Sequence, residues 1–230
     1  MNIVITGASR GIGYEAAKIF SADRQHQVLA IARSREGLEA LANDCGTGKL
    51  HILPADLLTE DIADKIIPFI AGRLGRVDIL VNNAGMLINK PMADMLEEDF
   101  DLLFNANVRS TFLLVKGLLP YFNIGAHIVN IGSMGGYQGS VKFAGLSLYS
   151  ASKAALAVLT ECMALELKGL GISANCLALG SARTEMLEQA FPGYNPPLTA
   201  MEMASFIVDF SLRGHQWFNG KILPVALSTP

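Results

Sequence analysis

A chain of 230 residues that is 51% hydrophobic and only 17% charged carries enough apolar material for one large buried core, and nothing in its length requires a second domain. Its net charge of −3 leaves no basic footprint for nucleic acid. No uncharged apolar run reaches the roughly 18 residues of a membrane span. The opening M-N-I-V-I-T-G has neither a basic region nor a cleavage site, so export is not expected and the chain reads as cytoplasmic.

The stretch 2–6 reads as a buried strand, followed by G-A-S-R-G-I-G and a helical pattern through Phe20. A second apolar strand spans 28–32, a helix 34–43 with Leu38 and Leu41 on one face, and a short strand 50–53. A helix over 62–71 turns Ile66, Ile67 and Ile70 inward, and a fourth strand covers 77–81. A long helix is expected over 100–122, a strand over 126–131, a second long helix over 150–168 and a strand over 172–177. A helix over 202–212 and a strand over 221–225 complete the pattern. Strands apolar on both faces that alternate with helices mean a three-layer α/β fold, a parallel seven-stranded sheet with helices on both faces. Residues 1–230 read as one domain. The two long helices are apolar nearly all round, which points to a second buried face within the fold or at a subunit contact, with ordinary core as the alternative.

Cys45, Cys162 and Cys176 form no C-x-x-C and read as reduced thiols, the last two in apolar, buried surroundings. His26, His51, His127 and His215 share no ligand spacing, so no metal site is expected.

Two stretches carry chemistry. Between Gly7 and Gly13 a glycine-rich turn joins the first strand to the first helix. Gly7 permits the tight turn, Gly11 permits close approach of a pyrophosphate, and Gly13 permits close helix–strand packing beside the free N–H groups of the helix start. In L-Y-S-A-S-K-A-A, Tyr149 and Lys153 sit one helical turn apart on one face. A neighbouring positive charge favours a phenolate, so the pair is expected to lower the tyrosine pKa and fit it for proton exchange. By itself such a pair is common on solvated helices.

With its other motifs, the chain resembles the short-chain dehydrogenase/reductase family over nearly its whole length, in particular its NADP-preferring carbonyl and 3-oxoacyl reductase-like members. The motifs are T-G-A-S-R-G-I-G at Thr6–Gly13, Asp56 in P-A-D-L, N-N-A-G at Asn82–Gly85, Asn107 in N-V-R-S-T-F, Ser133 in I-G-S, and the Gly180 and Thr184 positions. The resemblance implies a doubly wound, Rossmann-like fold and a nicotinamide-dependent oxidoreductase with Asn107, Ser133, Tyr149 and Lys153 as its catalytic tetrad. It implies cofactor contacts from Gly7, Ser9, Arg10, Gly11, Ile12 and Gly13, and from Arg33 and Ser34. Further contacts are implied from Asp56, Leu57, Asn83, Ala84, Gly85, Tyr149, Lys153, Gly180 and Thr184.

The second strand ends A-I-A-R-S-R, without a carboxylate for a ribose diol, whereas Arg33, Arg35 and Arg10 suit a 2′-phosphate. NADP(H) is therefore expected over NAD(H). Met86, Leu87, Met134, Gln138, Phe143, Met186 and Leu187 are expected to line the substrate site, and being mostly apolar they point to a small, weakly polar carbonyl or alcohol.

The sequence departs from the family at Leu179, where a proline is usual, and in the lengthened segment between Ser133 and Tyr149. The tail G-K-I-L-P-V-A-L-S-T-P lacks the usual D-G-G. A homodimer is implied, and the tail puts in doubt only the tail-mediated part of the family's tetramer. A catalytically silent NADP-binding regulator or scaffold is the alternative reading, against which the complete proton-handling set argues. An epimerase or dehydratase on the same scaffold would share the tetrad.

Overall fold

The structure is a computed structural model and describes residues 1–46, 49–59 and 62–227. The elements are β1 (Asn2–Thr6), α1 (Gly11–Ala22), β2 (Gln27–Ala32), α2 (Arg35–Cys45), β3 (Leu50–Pro54), α3 (Ile67–Arg73) and β4 (Val77–Asn82). They continue with α4 (Glu97–Phe104), α5 (Ser110–Leu118), β5 (Phe122–Ser133), α6 (Ser147–Glu166) and β6 (Ser173–Leu179). The last are β7 (Ala182–Arg183), α7 (Glu185–Ala190), β8 (Leu198–Thr199), α8 (Ala200–Arg213) and β9 (Ile222–Val225).

Seven strands form one sheet in the order β3-β2-β1-β4-β5-β6-β9. Every neighbouring pair is parallel. Such a sheet must be covered on both faces. Ile3 and Ile5 face one cluster with Phe20, Leu38, Leu41 and Ile207, from α1, α2 and α8. Val4 and Leu80 face the other with Ile66, Ile70, Leu114 and Met163, from the α3, α5 and α6 side. Ile3, Val4 and Ile5 are wholly buried; each such side chain contributes about 1.5–3 kcal/mol relative to exposure. The chain runs outward from β1 to β3 and then crosses back to β4. That reversal opens a crevice at the carboxyl ends of β1 and β4, where ligands of open α/β sheets bind.

The structure departs from the sequence expectation at several places. The expected helix over 100–122 is broken at Asn105–Arg109 by a π turn between α4 and α5, and the strand expected over 126–131 begins at Phe122. Helix α7 and the short β7–β8 pairing were not expected. Cys176 is buried as expected but Cys162 is exposed, because it lies on the outward face of α6. That face is apolar without being covered by the chain: Val158 and Leu165 are exposed, as are Phe100 on α4 and Phe112 on α5.

Helix α6 is apolar enough by length and composition to cross a membrane. Of its apolar residues, Leu156, Ala157, Met163 and Ala164 are buried beside β5 and β6, and 39% of the stretch is buried within the chain.

Candidate active site

The glycine turn sits at the crossover. Gly7 and Gly11 have φ of 69° and 59°, the left-handed region that glycine enters without penalty. A Cβ on Gly13 would collide with the Asn83 amide nitrogen and the Gly7 carbonyl, so α1 starts as close to β1 as backbone allows. Gly13→Ala is therefore expected to unfold the turn rather than trim its affinity: Tm falls by several degrees and cofactor titration shows no saturable binding. A Tm and an affinity both within error of the parent would contradict that packing.

The turn is braced from β4. The Thr6 hydroxyl accepts from the Asn83 and Ala84 N–H groups at 3.1 and 3.0 Å. The Asn83 amide donates to the Thr6 and Gly7 carbonyls, both at 3.1 Å. Deeper in the sheet, Asn82 donates to Asn130 at 2.8 Å and Asn130 to Thr160 at 2.8 Å, a fully partnered chain that fixes the level of β4 against β5 and α6.

The π turn places Asn107, which is buried, against the loop after β4. Its Oδ1 accepts from Met86 N–H at 2.8 Å, while its Nδ2 donates to the Met86 carbonyl and the Ser152 hydroxyl, each at 2.9 Å. Ser152 in turn donates to the Tyr149 carbonyl at 2.7 Å. Ser152 thus ties Asn107 to the first turn of α6. The sequence reading missed it, although it immediately precedes Lys153 in S-A-S-K.

Lys153 is 5% exposed, and its ammonium donates to the Ile131 carbonyl at 2.9 Å. Burial lowers its pKa to about 8. For Tyr149 the expected direction is corrected: burial pushes the phenol above its usual pKa, and the Ser133 hydroxyl is what holds it down. A Cβ built on Gly85 would lie 3.0 Å from Asn107 Oδ1 and 3.1 Å from Lys153 Nζ, so this glycine keeps the gap between the two open.

One cleft of about 1030 Å³ gathers these groups. Of the expected residues it is lined by Gly7, Ser9, Arg10, Gly11 and Ile12, by Arg33 and Ser34, and by Asp56 and Leu57. Asn83, Ala84, Gly85, Ser133, Tyr149, Lys153, Gly180 and Thr184 line it too. Gly13 and Asn107 do not line it; they hold residues that do. The expected substrate residues Met86, Leu87, Met134, Phe143, Met186 and Leu187 form its apolar end. Gln138 is corrected: it faces a separate depression of about 490 Å³ beside Tyr137 and Ala151, because the lengthened segment turns back on itself. Leu146, Phe191 and Tyr194 line the cleft and were missed. Leu179, which stands where the family usually has a proline, lies in the ladder between Ser133 and Val225, with Gly180 N–H bonded to Val225 O at 2.9 Å.

The residues fit a dinucleotide. Arg10, the N-cap of α1, makes no side-chain cap and the first turn carries no acidic residue, so the helix start presents N–H groups suited to phosphate. The Gly7 and Gly11 backbones allow close approach there. Fold and cleft together define a Rossmann-like α/β protein with its ligand site at the sheet crossover.

Residues 1–195 match the family model described as short chain dehydrogenase. Over 216 residues the chain is 34% identical to a fatty acyl-CoA reductase of Mycobacterium tuberculosis, covering 90% of this chain and 71% of that protein. It is 30% identical over 207 residues to an uncharacterized oxidoreductase of Staphylococcus haemolyticus, covering 89% and 88%. A crystal structure of 3-ketoacyl-(acyl-carrier-protein) reductase from Brucella melitensis complexed with NADH superposes with TM-score 0.87 at 26% identity, covering 97% and 96%. A short chain dehydrogenase from Burkholderia cenocepacia in complex with NADP does so with TM-score 0.86 at 28% identity, covering 97% and 95%. The chain belongs to the short-chain dehydrogenase/reductase family of oxidoreductases.

Proposed function

We propose that this chain is an NADP(H)-dependent oxidoreductase that moves a hydride between nicotinamide and a carbonyl or secondary alcohol of a small, mainly apolar molecule. The observation that carries the reading is the meeting of the glycine turn, Ser133, Tyr149 and Lys153 in one cleft. When bound, the cofactor supplies or accepts the hydride. Everything else is the work of this chain.

Reduction of a carbonyl builds negative charge on its oxygen, and the Ser133 and Tyr149 hydroxyls donate to it. Tyr149 passes its proton to that oxygen as general acid, and in the oxidative direction takes it back as base. Lys153 holds the ribose hydroxyls and stabilises the phenolate left on Tyr149. The gap over Gly85, between Asn107 Oδ1 and Lys153 Nζ, is where a water refills the proton. Gly7, Gly11 and the α1 start hold the pyrophosphate, Asp56 and Leu57 the adenine, and Gly180 and Thr184 the nicotinamide end.

Arg33 and Ser34 line the cleft just beyond β2, with Arg10 on the same side, and support the 2′-phosphate reading. Arg33→Ala is expected to raise the KM for NADPH about tenfold, the loss of one charge-assisted contact, while changing that for NADH little. Equal loss for both cofactors, or an enzyme that prefers NADH, refutes the assignment. The apolar end of the cleft supports a weakly polar substrate, as do relatives named for acyl substrates.

We read the chain as one domain that works in the cytoplasm as a homodimer, through the uncovered apolar face of α4, α5 and α6. An NADPH-oxidation screen across aldehydes, ketones and quinones tests the whole reading. Turnover of weakly polar carbonyls supports it, and turnover confined to highly charged ketones overturns the substrate class.

A further inference from the structure

Helix α7 forms one wall of the apolar end of the cleft through Met186 and Leu187, with Phe191 and Tyr194 following it. It is six residues long and contains no buried residue. Helices that short are not stable on their own. Its hydrogen bonds are mostly internal to its own excursion. The Thr184 hydroxyl accepts from Leu187 N–H at 3.3 Å, Glu188 accepts from Gly193 N–H at 3.2 Å, and Arg183 donates to Asn195 at 2.8 Å. These shape the excursion without fastening it to the opposite wall.

Asn89 does fasten it. From the loop after β4 its Nδ2 donates to the Ala190 carbonyl at 2.8 Å, across 101 positions of sequence. Among the described residues this is the one hydrogen bond that reaches α7 from outside its own excursion. The acceptor is one of the last-turn carbonyls that a helix cannot satisfy internally.

The loop bearing Asn89 is itself fixed. Asn107 grips Met86 through both backbone groups, and Lys90 pairs with Asp99 at 2.5 Å. Lys90 N–H donates to Gly145 O at 3.0 Å. Gly145 has φ of 83°, and a Cβ there would collide with Asn89 Oδ1. So Asn89 is seated against the lengthened segment before Tyr149 while it reaches over to α7. One exposed side chain joins three walls of the substrate mouth.

We propose that Asn89 is a positioning residue, a latch that holds α7 closed over the substrate end of the cleft. The proposal rests on the oxidoreductase reading only for what the closed lid encloses. A single exposed hydrogen bond holds a lid shut weakly enough to open in every cycle, and closure keeps water from the reacting groups.

The test compares the full-length protein with Asn89→Ala and Gly145→Ala, the second of which displaces the Asn89 amide from its seat. Brief digestion with a glutamate-specific protease reports opening of α7 through cleavage after Glu185 and Glu188, both exposed, with Glu39 on α2 as the internal reference. The expected result is α7 cleavage about two- to tenfold faster in both variants, the range set by one hydrogen bond. Cleavage at Glu39 is unchanged, the substrate KM rises by a similar factor and kcat does not fall. Unchanged α7 cleavage in Asn89→Ala overturns the latch, and so does a rise shared by Glu39. A KM shift without faster cleavage makes Asn89 a substrate contact and likewise overturns it. The digestion requires no turnover, so a failed substrate screen and a failed latch are separate results.

Discussion

Tyr149→Phe is expected to lower kcat/KM by about a hundred- to ten-thousandfold, the range of a lost general acid, with Tm and NADPH affinity close to those of the parent. The phenol is buried beside the Ser133 hydroxyl, and burial pushes its pKa up. At neutral pH it therefore keeps its proton, the form a carbonyl reductase needs. The two directions must then diverge with pH. Reduction holds through neutrality and falls once the phenol ionises, whereas oxidation rises with pH as the base form fills. Because Ser133 is what holds the phenol down, Ser133→Ala shifts both limbs to higher pH as well as removing a donor to the developing oxyanion. The substitution to phenylalanine removes one oxygen and leaves the ring in place, so lost activity with an intact melt is chemistry, not unfolding. Carbonyl reduction that survives unchanged in Tyr149→Phe would falsify the assigned proton donor.

What could be read from the sequence follows from how strictly chemistry fixes spacing. A phosphate turn needs glycine where φ is positive, and Gly7 and Gly11 occupy those places. A proton relay needs its tyrosine and lysine one helical turn apart, and the first two turns of α6 carry Tyr149 and Lys153. The alternation of apolar runs was enough to give the parallel sheet, since strands buried on both faces leave few other arrangements. Burial direction was less legible. Cys162 looked buried because α6 is apolar all round, and only the packed structure shows which of its faces meets β5 and β6. The pKa of Tyr149 went the other way for the same reason: spacing locates a neighbouring charge, but the loss of water around the phenol depends on the whole cleft. Gln138 and Asn89 depend on how loops fold back, as with the Ser140 hydroxyl donating to Met134 O at 2.5 Å, and Ser152 on how α6 meets the π turn, and no periodicity records either.

Lys153→Met is expected to do two opposite things: abolish most of the activity and leave the fold as stable or more stable at pH 7. In the folded chain the ammonium is buried on the Ile131 carbonyl, and burial lowers its pKa from 10.5 to about 8. Between those two values the unfolded chain binds more protons than the folded one, so this group's contribution to stability rises as pH climbs through that window. Below about 8 both states are charged and the full cost of the buried charge stands, about 3 kcal/mol from the 10.5 to 8 shift. Methionine removes that cost but leaves the Ile131 carbonyl without its donor, a loss of about 1–3 kcal/mol, so the two nearly cancel or favour the variant. Cys176 complicates a simple pH scan, because burial raises its thiol to about 11 and its contribution falls as pH rises. The informative quantity is therefore the difference in melting temperature between parent and variant, followed from pH 7 to 10.5. That difference should move in favour of the parent as pH rises, while kcat of the variant stays about a hundredfold or more below the parent. A difference that is flat across the window would mean that Lys153 is not held as a destabilised ammonium.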